Sequence, residues 1–288
     1  TLPTQRRDIG FIFQTFDVWP HMTVFENVAY PLRVRNVPKR EIEERVPEIL
    51  RLTDIEALAD KEATNLSGGQ QARVGMCRAL VYEPKVLLCD EPLTGLDRNL
   101  RKTLRQEIRR IQTELGITTI YVTHSQPEAM SISDKICLMN TRGRSEQIGT
   151  PQELYQHPVS RYAFDFVGAS QTLTGTVSGS GGIETDIGHI ACETHGREGE
   201  TVTVGFRPES VELRLDAPAD WDDNTWSGHI AHEFYLGDMY EFTVEVNGQS
   251  IQSRVTIDEY QEGGLEDAVG REGHVHLPRD EVFTFGEA

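Results

Sequence analysis

Leu66-Ser67-Gly68-Gly69-Gln70, then residues 71–82, then Val86-Leu87-Leu88-Cys89-Asp90-Glu91-Pro92, then Leu96-Asp97: this stretch decides the fold of the chain. Ser67 is a helix-capping residue, and Gln70, three positions on, completes a capping box. The two glycines between them let a ligand come close to the backbone, and the helix N-terminus that follows favours an anion. Residues 71–82 read as helix, with Val74, Cys77 and Val81 on one face. Val86–Cys89 is a continuous apolar run of the kind that forms a buried parallel strand. It delivers two adjacent carboxylates, Asp90 and Glu91, at its end. A strand that presents one carboxylate for Mg²⁺ and a second for a water carries the chemistry of nucleotide hydrolysis.

Outward from this stretch the same alternation continues. Ile9–Phe13 suits a short strand, with Gln14 at its exit. From Lys39 the positions Ile42, Val46, Ile49 and Leu50 follow helical spacing, and Pro47 should start a helix there or kink one. Leu100, Leu104, Ile108, Ile111 and Leu115 form a helical stripe that Gly116 ends. Thr118–Thr123 is the next strand, with His124 at its carboxyl end. Ser125 and Glu128 repeat the capping-box pattern and open another helix. Ile136–Met139 reads as a third strand, and the strand–helix–strand order argues a parallel α/β sheet.

After Gly168 the pattern shortens. Leu173–Val177, Thr201–Phe206, Val211–Leu215, Phe242–Val246, Ile251–Val255 and His274–Leu277 alternate like strands. Ser178-Gly179-Ser180-Gly181-Gly182 and Asn247-Gly248 are turns between them. This is an all-β pattern compatible with a small barrel. Charge switches at the same place. Residues 1–168 hold 22 Lys+Arg and 22 Asp+Glu, whereas residues 169–288 hold 6 and 24, the whole net charge of −18. A nucleic-acid-binding module should be basic, so the second part is a poor candidate for one. Its acids are scattered rather than spaced as ligands, which reads as a solvated acidic surface such as a salt-adapted source would carry. The length suits two domains, and no long uncharged apolar run is present to span a membrane. Cys77, Cys89, Cys137 and Cys192 are isolated, so they read as reduced, buried thiols rather than a metal site or a disulfide framework.

The run 66–97 resembles the signature and Walker B motifs of ABC-transporter ATPases, and Gly205-Phe206-Arg207-Pro208-Glu209 resembles a run in the TOBE domains of importer ATPases. The group most similar serves sugars, polyamines, ferric iron and oxyanions. The resemblance implies an α/β fold: a partial P-loop ATPase domain over residues 1–168, with a helical subdomain over about 15–82, and an OB-like β domain over residues 169–288. It also implies roles. Gln14, followed by Pro20-His21-Met22-Thr23-Val24 and Glu26-Asn27-Val28, is similar to the Q-loop glutamine that meets Mg²⁺ and the attacking water. Ser67, Gly68, Gly69 and Gln70 form the loop that contacts ATP held by the other protomer. Asp90 holds Mg²⁺, Glu91 polarises the water as general base, Asp97 links the two sites, and His124 is the switch histidine on the γ-phosphate. Ser125-Gln126-Pro127-Glu128 departs from the usual acidic version after that histidine, and Leu93-Thr94-Gly95 departs modestly from commoner variants, with no function read from it. Phe16, Trp19 and Met22 suit either a dock for a membrane-subunit helix or ordinary core packing.

The cofactors implied are ATP and Mg²⁺. The partners are a second ATPase subunit in a homodimer or a paired dimer, transmembrane permease subunits and, indirectly, an extracytoplasmic solute-binding protein, with no nucleic acid. The implied place is the cytoplasmic face of the cell membrane. No Gly-x-x-x-x-Gly-Lys-Ser/Thr run occurs in these residues, and Arg6-Arg7-Asp8-Ile9-Gly10-Phe11-Ile12-Phe13-Gln14 reads as the middle of a domain. The expectation is a chain truncated before the Q-loop, active as an ATPase at full length and poorly active or inactive as these residues alone. The alternatives are a non-catalytic regulatory module that never had the loop, and a soluble ABC ATPase of translation or repair. The transported solute is set by other subunits.

Overall fold

The computed structural model describes residues 3, 7–16, 18–179, 181–194, 196–219, 221 and 223–286. Arg6 of the run quoted above and Ser180 of the expected turn lie outside the described residues. The chain packs as two compact units, Thr1–Asp134 and Lys135–Ala288.

The first unit runs β1 (Ile9–Ile12), α1 (Val24–Val34), α2 (Lys39–Leu52), α3 (Gly68–Leu80), β2 (Val86–Asp90), α4 (Arg98–Leu115), β3 (Thr118–Val122) and α5 (Gln126–Ile132). Its sheet has the order β1-β2-β3, and both pairings are parallel, with Ile12 opposite Cys89 and Asp90 opposite Val122. Thr23 opens α1 with a full capping box to Glu26. Pro47 neither starts nor ends a helix, because α2 continues through it with Val46, Ile49 and Leu50 buried. Gly116 closes α4 in the left-handed region at φ 61°, which glycine enters without a Cβ clash. Ile12, Val28, Leu50, Val74, Cys77, Leu87, Cys89, Leu104 and Ile108 belong to one core that joins the sheet to α1–α4. Phe11, Ile120 and Val122 stay exposed on the sheet.

The second unit begins with β4 (Ile136–Met139), β5 (Ser145–Gly149), α6 (Pro151–Gln156) and α7 (Arg161–Phe166). The expected third strand exists but does not extend the parallel sheet: β4 pairs antiparallel with β5 in a two-stranded sheet of its own. Then come β6 (Gln171–Val177), β7 (Ile183–Thr185), β8 (Gly188–Ile190), β9 (Thr201–Phe206), β10 (Glu212–Arg214), β11 (Thr225–Tyr235), β12 (Met239–Val246), β13 (Gln249–Thr256), α8 (Ile257–Glu262), β14 (Glu272–His276) and β15 (Phe283–Gly286). They make two five-stranded antiparallel sheets, ordered β10-β14-β11-β12-β13 and β15-β9-β6-β7-β8. Val204, Phe206, Ile183, Ile230, Phe242, Val244 and Val275 from both sheets share one core. The fold class is thus α/β followed by antiparallel β.

Composition changes at Gly168, but packing groups residues 135–168 with the β strands. The reason is Arg207, which is almost wholly buried. Its guanidinium lies over the rings of Tyr155 and Phe164 and donates to the carbonyls of Phe164 and Ala169. Phe164 in turn packs against Phe283 and Phe285.

Candidate functional site at the carboxyl edge of the parallel sheet

Three parallel strands point their carboxyl ends to one edge, the usual place for ligands in open α/β sheets. Gln14 stands two residues past β1, Glu91 one past β2 and His124 two past β3, so register alone gathers them there. The Glu91 amide still donates to the Val122 carbonyl at 3.0 Å, which ties the turn to the sheet. Glu91 itself lies at φ 45° and directly precedes Pro92. A left-handed non-glycine residue before proline is strained backbone, of the sort that clusters at functional sites.

The Glu91 carboxylate is held on both oxygens. His124 Nδ1 lies 3.1 Å from Oε1, and Thr94 Oγ1 donates to Oε2 at 3.1 Å. These hydrogen bonds, that of His124 before that of Thr94, keep the Glu91 carboxyl below its ordinary range, against a smaller opposing effect of burial. The Glu91 carboxylate is therefore ionised at neutral pH. Asp90 and Gln14 are exposed beside this pair. Thr94 is a site residue that the sequence reading passed over. Its signal is a hydroxyl three residues after the carboxylate, across a turn that Pro92 enforces.

The other predicted residues form a second cluster. Ser67 caps α3: Gln70 donates its amide to Ser67 Oγ, and the Ser67 amide donates to Gln70 Oε1 at 3.0 Å. Asp97 caps α4 by accepting from the amides of Asn99 and Leu100 at 3.1 and 3.0 Å. The two helix starts meet through Leu100. A Cβ placed on Gly69 would lie 2.6 Å from Leu100 Cδ1, whereas one on Gly68 would meet nothing within 4 Å. A side chain at Gly69 would thus push the end of Leu100 aside, whereas Gly68 leaves open space outward, where the helix N-terminus suits an anion.

One expected cap fails. Ser125 makes no side-chain cap bond at the start of α5. Glu128 instead accepts from Tyr121 Oη at 3.0 Å and Thr123 Oγ1 at 2.9 Å, with Arg101 Nε 3.9 Å away. Thr123 Oγ1 also accepts from the Ser125 amide at 3.0 Å, so the approach to His124 is braced by tertiary bonds. Phe16 and Trp19 are both half-buried. Phe16 packs on the core, and the Arg78 guanidinium lies 3.7 Å from the Trp19 ring centroid. Among the described residues no cluster of three or more His, Cys, Asp or Glu side chains could hold a metal, and no helix is long and apolar enough to cross a membrane. Cys77 and Cys89 are buried free thiols, pushed up to about 12 by burial, whereas Cys137 is exposed and Cys192 half-buried.

Comparison with known proteins points to one family. A family described as ABC transporter matches residues 1–94, and one described as TOBE domain matches residues 204–285. The chain is similar to the Fe(3+) ions import ATP-binding protein FbpC of Escherichia coli (strain K12), with 39% identity over 99% of this chain and 78% of that protein. It is also similar to the spermidine/putrescine import ATP-binding protein PotA of Thermobifida fusca (strain YX), at 41% identity over 84% of this chain and 64% of that protein. A solved structure of cbiO1 from Clostridium perfringens, part of the ABC transporter complex cbiONQ, shares 35% identity at a TM-score of 0.49, covering 53% of this chain and 61% of that one. The chain belongs to the ATP-binding subunits of ABC importers, with a TOBE domain after the ATPase portion.

Proposed function

We propose that this protein hydrolyses ATP at a site shared between two protomers and drives solute uptake through partner membrane subunits on the cytoplasmic face of the membrane. The observation that carries this is the Glu91 carboxylate, held between His124 and Thr94 at the carboxyl edge of parallel strands, one residue after Asp90. Glu91 is the general base for the attacking water. His124, which hydrogen-bonds Glu91 here, passes to the γ-phosphate and so frees the oxygen that takes the water's proton. Asp90 and Gln14 supply carboxylate and amide oxygens, the hard donors that Mg²⁺ takes alongside water and phosphate. That ion would neutralise phosphate charge as the transfer proceeds.

Ser67, Gly68, Gly69 and Gln70 contact the ATP of the partner protomer, and Asp97 links the two sites. The first part of the chain, residues 1–168, does the chemistry, and residues 169–288 form the TOBE domain, which modulates or stabilises the dimer. Permease subunits receive the motion, and a solute-binding protein delivers the cargo to them.

Mixing two defective forms of the full-length protein tests the shared site. One carries Ser67→Arg and the other Glu91→Gln, so one site of the mixed dimer keeps both groups intact. ATP turnover above that of either parent supports the reading. No recovery in verified heterodimers goes against it.

A further inference from the structure

We propose that Arg73 and Glu107 are positioning residues that hold the Ser67 and Asp97 helix starts in one register, and so act on the ATP of the partner protomer rather than on that of their own. This rests on the shared-site reading above. Arg73 lies one turn beyond Gly69 on α3, and Glu107 two turns beyond Leu100 on α4. Arg73 Nη2 stands 3.0 Å from Glu107 Oε2, while Nη1 donates to the Thr53 carbonyl at 2.9 Å. Glu107 is only 7% exposed.

The same junction grips the end of α2. Thr53 Oγ1 and Cys77 Sγ are 3.0 Å apart, and Arg110 of α4 donates to the Leu52 carbonyl. One guanidinium therefore ties three helices, with Gly69 against Leu100 as a second anchor nearer the two helix starts. Neither Glu107 oxygen has an aligned hydrogen bond, and burial pushes its carboxyl up. A buried pair of this quality adds little stability over apolar residues of the same volume, so what it contributes is a specified separation. The Asp90–Glu91 strand end does not depend on it, because the ladder to β1 and β3 fixes that end. A fault in the pair should therefore fall on the α3 and α4 N-termini.

The test uses the full-length protein with Glu91→Gln, so that bound ATP persists. Arg73→Met with Glu107→Leu removes both charges at similar volume, and Arg73→Lys keeps the charge but not the two-pronged reach. ATP affinity of the dilute monomer, melting temperature and ATP-driven dimerisation are measured for each. The proposal expects unchanged monomer affinity, a small fall in melting temperature from the Thr53 carbonyl left without its donor, and dimerisation weakened about tenfold or more. Undiminished dimerisation overturns it. So does a parallel loss of monomer affinity and melting temperature, which would make the pair a plain brace. If the double variant does not fold, Arg73→Lys decides by the same criteria. Ser67→Arg is run beside them: if it too leaves dimerisation intact, the shared-site reading has failed rather than the pair alone.

Discussion

His124 Nδ1 sits 3.1 Å from Glu91 Oε1, so the carboxylate proposed above as the base is held by the imidazole that follows β3. With Thr94 on the other oxygen, neither side of the carboxylate is free of a donor. Both partners are exposed, and each oxygen keeps a further lone pair that a water can reach.

This pairing sets a pH dependence. Glu91 titrates below its ordinary value of 4.5 in the folded protein. Its stabilising effect is fully present above that value and is lost as pH falls through the lowered one. His124→Ala should raise the Glu91 carboxyl more than Thr94→Val does, because the histidine bond is the larger cause. Carboxyl carbon NMR titration reads this directly. Unmoved titration in both variants would break the link between geometry and acidity.

The two signature glycines should separate folding from function. Gly69→Ala drives a methyl into Leu100, an overpacking cost of about 1–3 kcal/mol that a helix-propensity gain of about 1 kcal/mol offsets in part, so stability should fall modestly. Gly68→Ala meets open space and should leave the melting temperature unchanged or higher, yet reduce ATP turnover in the full-length protein. Thermal melts and turnover assays on both settle the point. A Gly68→Ala protein with full activity would show that the open space is not used.

Glu128 is buried and accepts two hydroxyls, so Glu128→Ala strands them. The expected loss is about 1–3 kcal/mol, measured by denaturant unfolding. An unchanged midpoint would mean that water replaces the carboxylate at no cost.

The acidic second part should respond to salt. With 24 acids against 6 bases in residues 169–288, self-repulsion weakens as the screening length falls from ~30 Å at about 0.01 M to ~8 Å at about 0.15 M. The melting temperature should rise over that range. A flat or falling melt would show that the acids are not under repulsive strain.

How far the sequence could be read depends on whether the signal is local. β2 and β3 were legible because apolar runs with fixed punctuation need no knowledge of neighbours, and the Ser67–Gln70 box forms within four residues. β4 was legible as a strand but not as a partner of β5, since an apolar run does not say which way its neighbour runs. β11 was missed because a bulge between Ile230 and His232 breaks its alternation. At the site, positions along the strand ends were readable, while Thr94 on Glu91 and Leu100 on Gly69 depend on where chains meet in space. The Ser125–Glu128 cap failed for the same reason: Tyr121 and Thr123 compete successfully for the carboxylate.

The central claim, that Glu91 is the base of an ATP-hydrolysing site, is tested most directly by ATP turnover and ATP binding in full-length Glu91→Gln. The substitution keeps shape and removes the proton acceptor. Binding should persist while turnover falls by about 10²-fold or more. Near-normal turnover with intact binding would contradict the account.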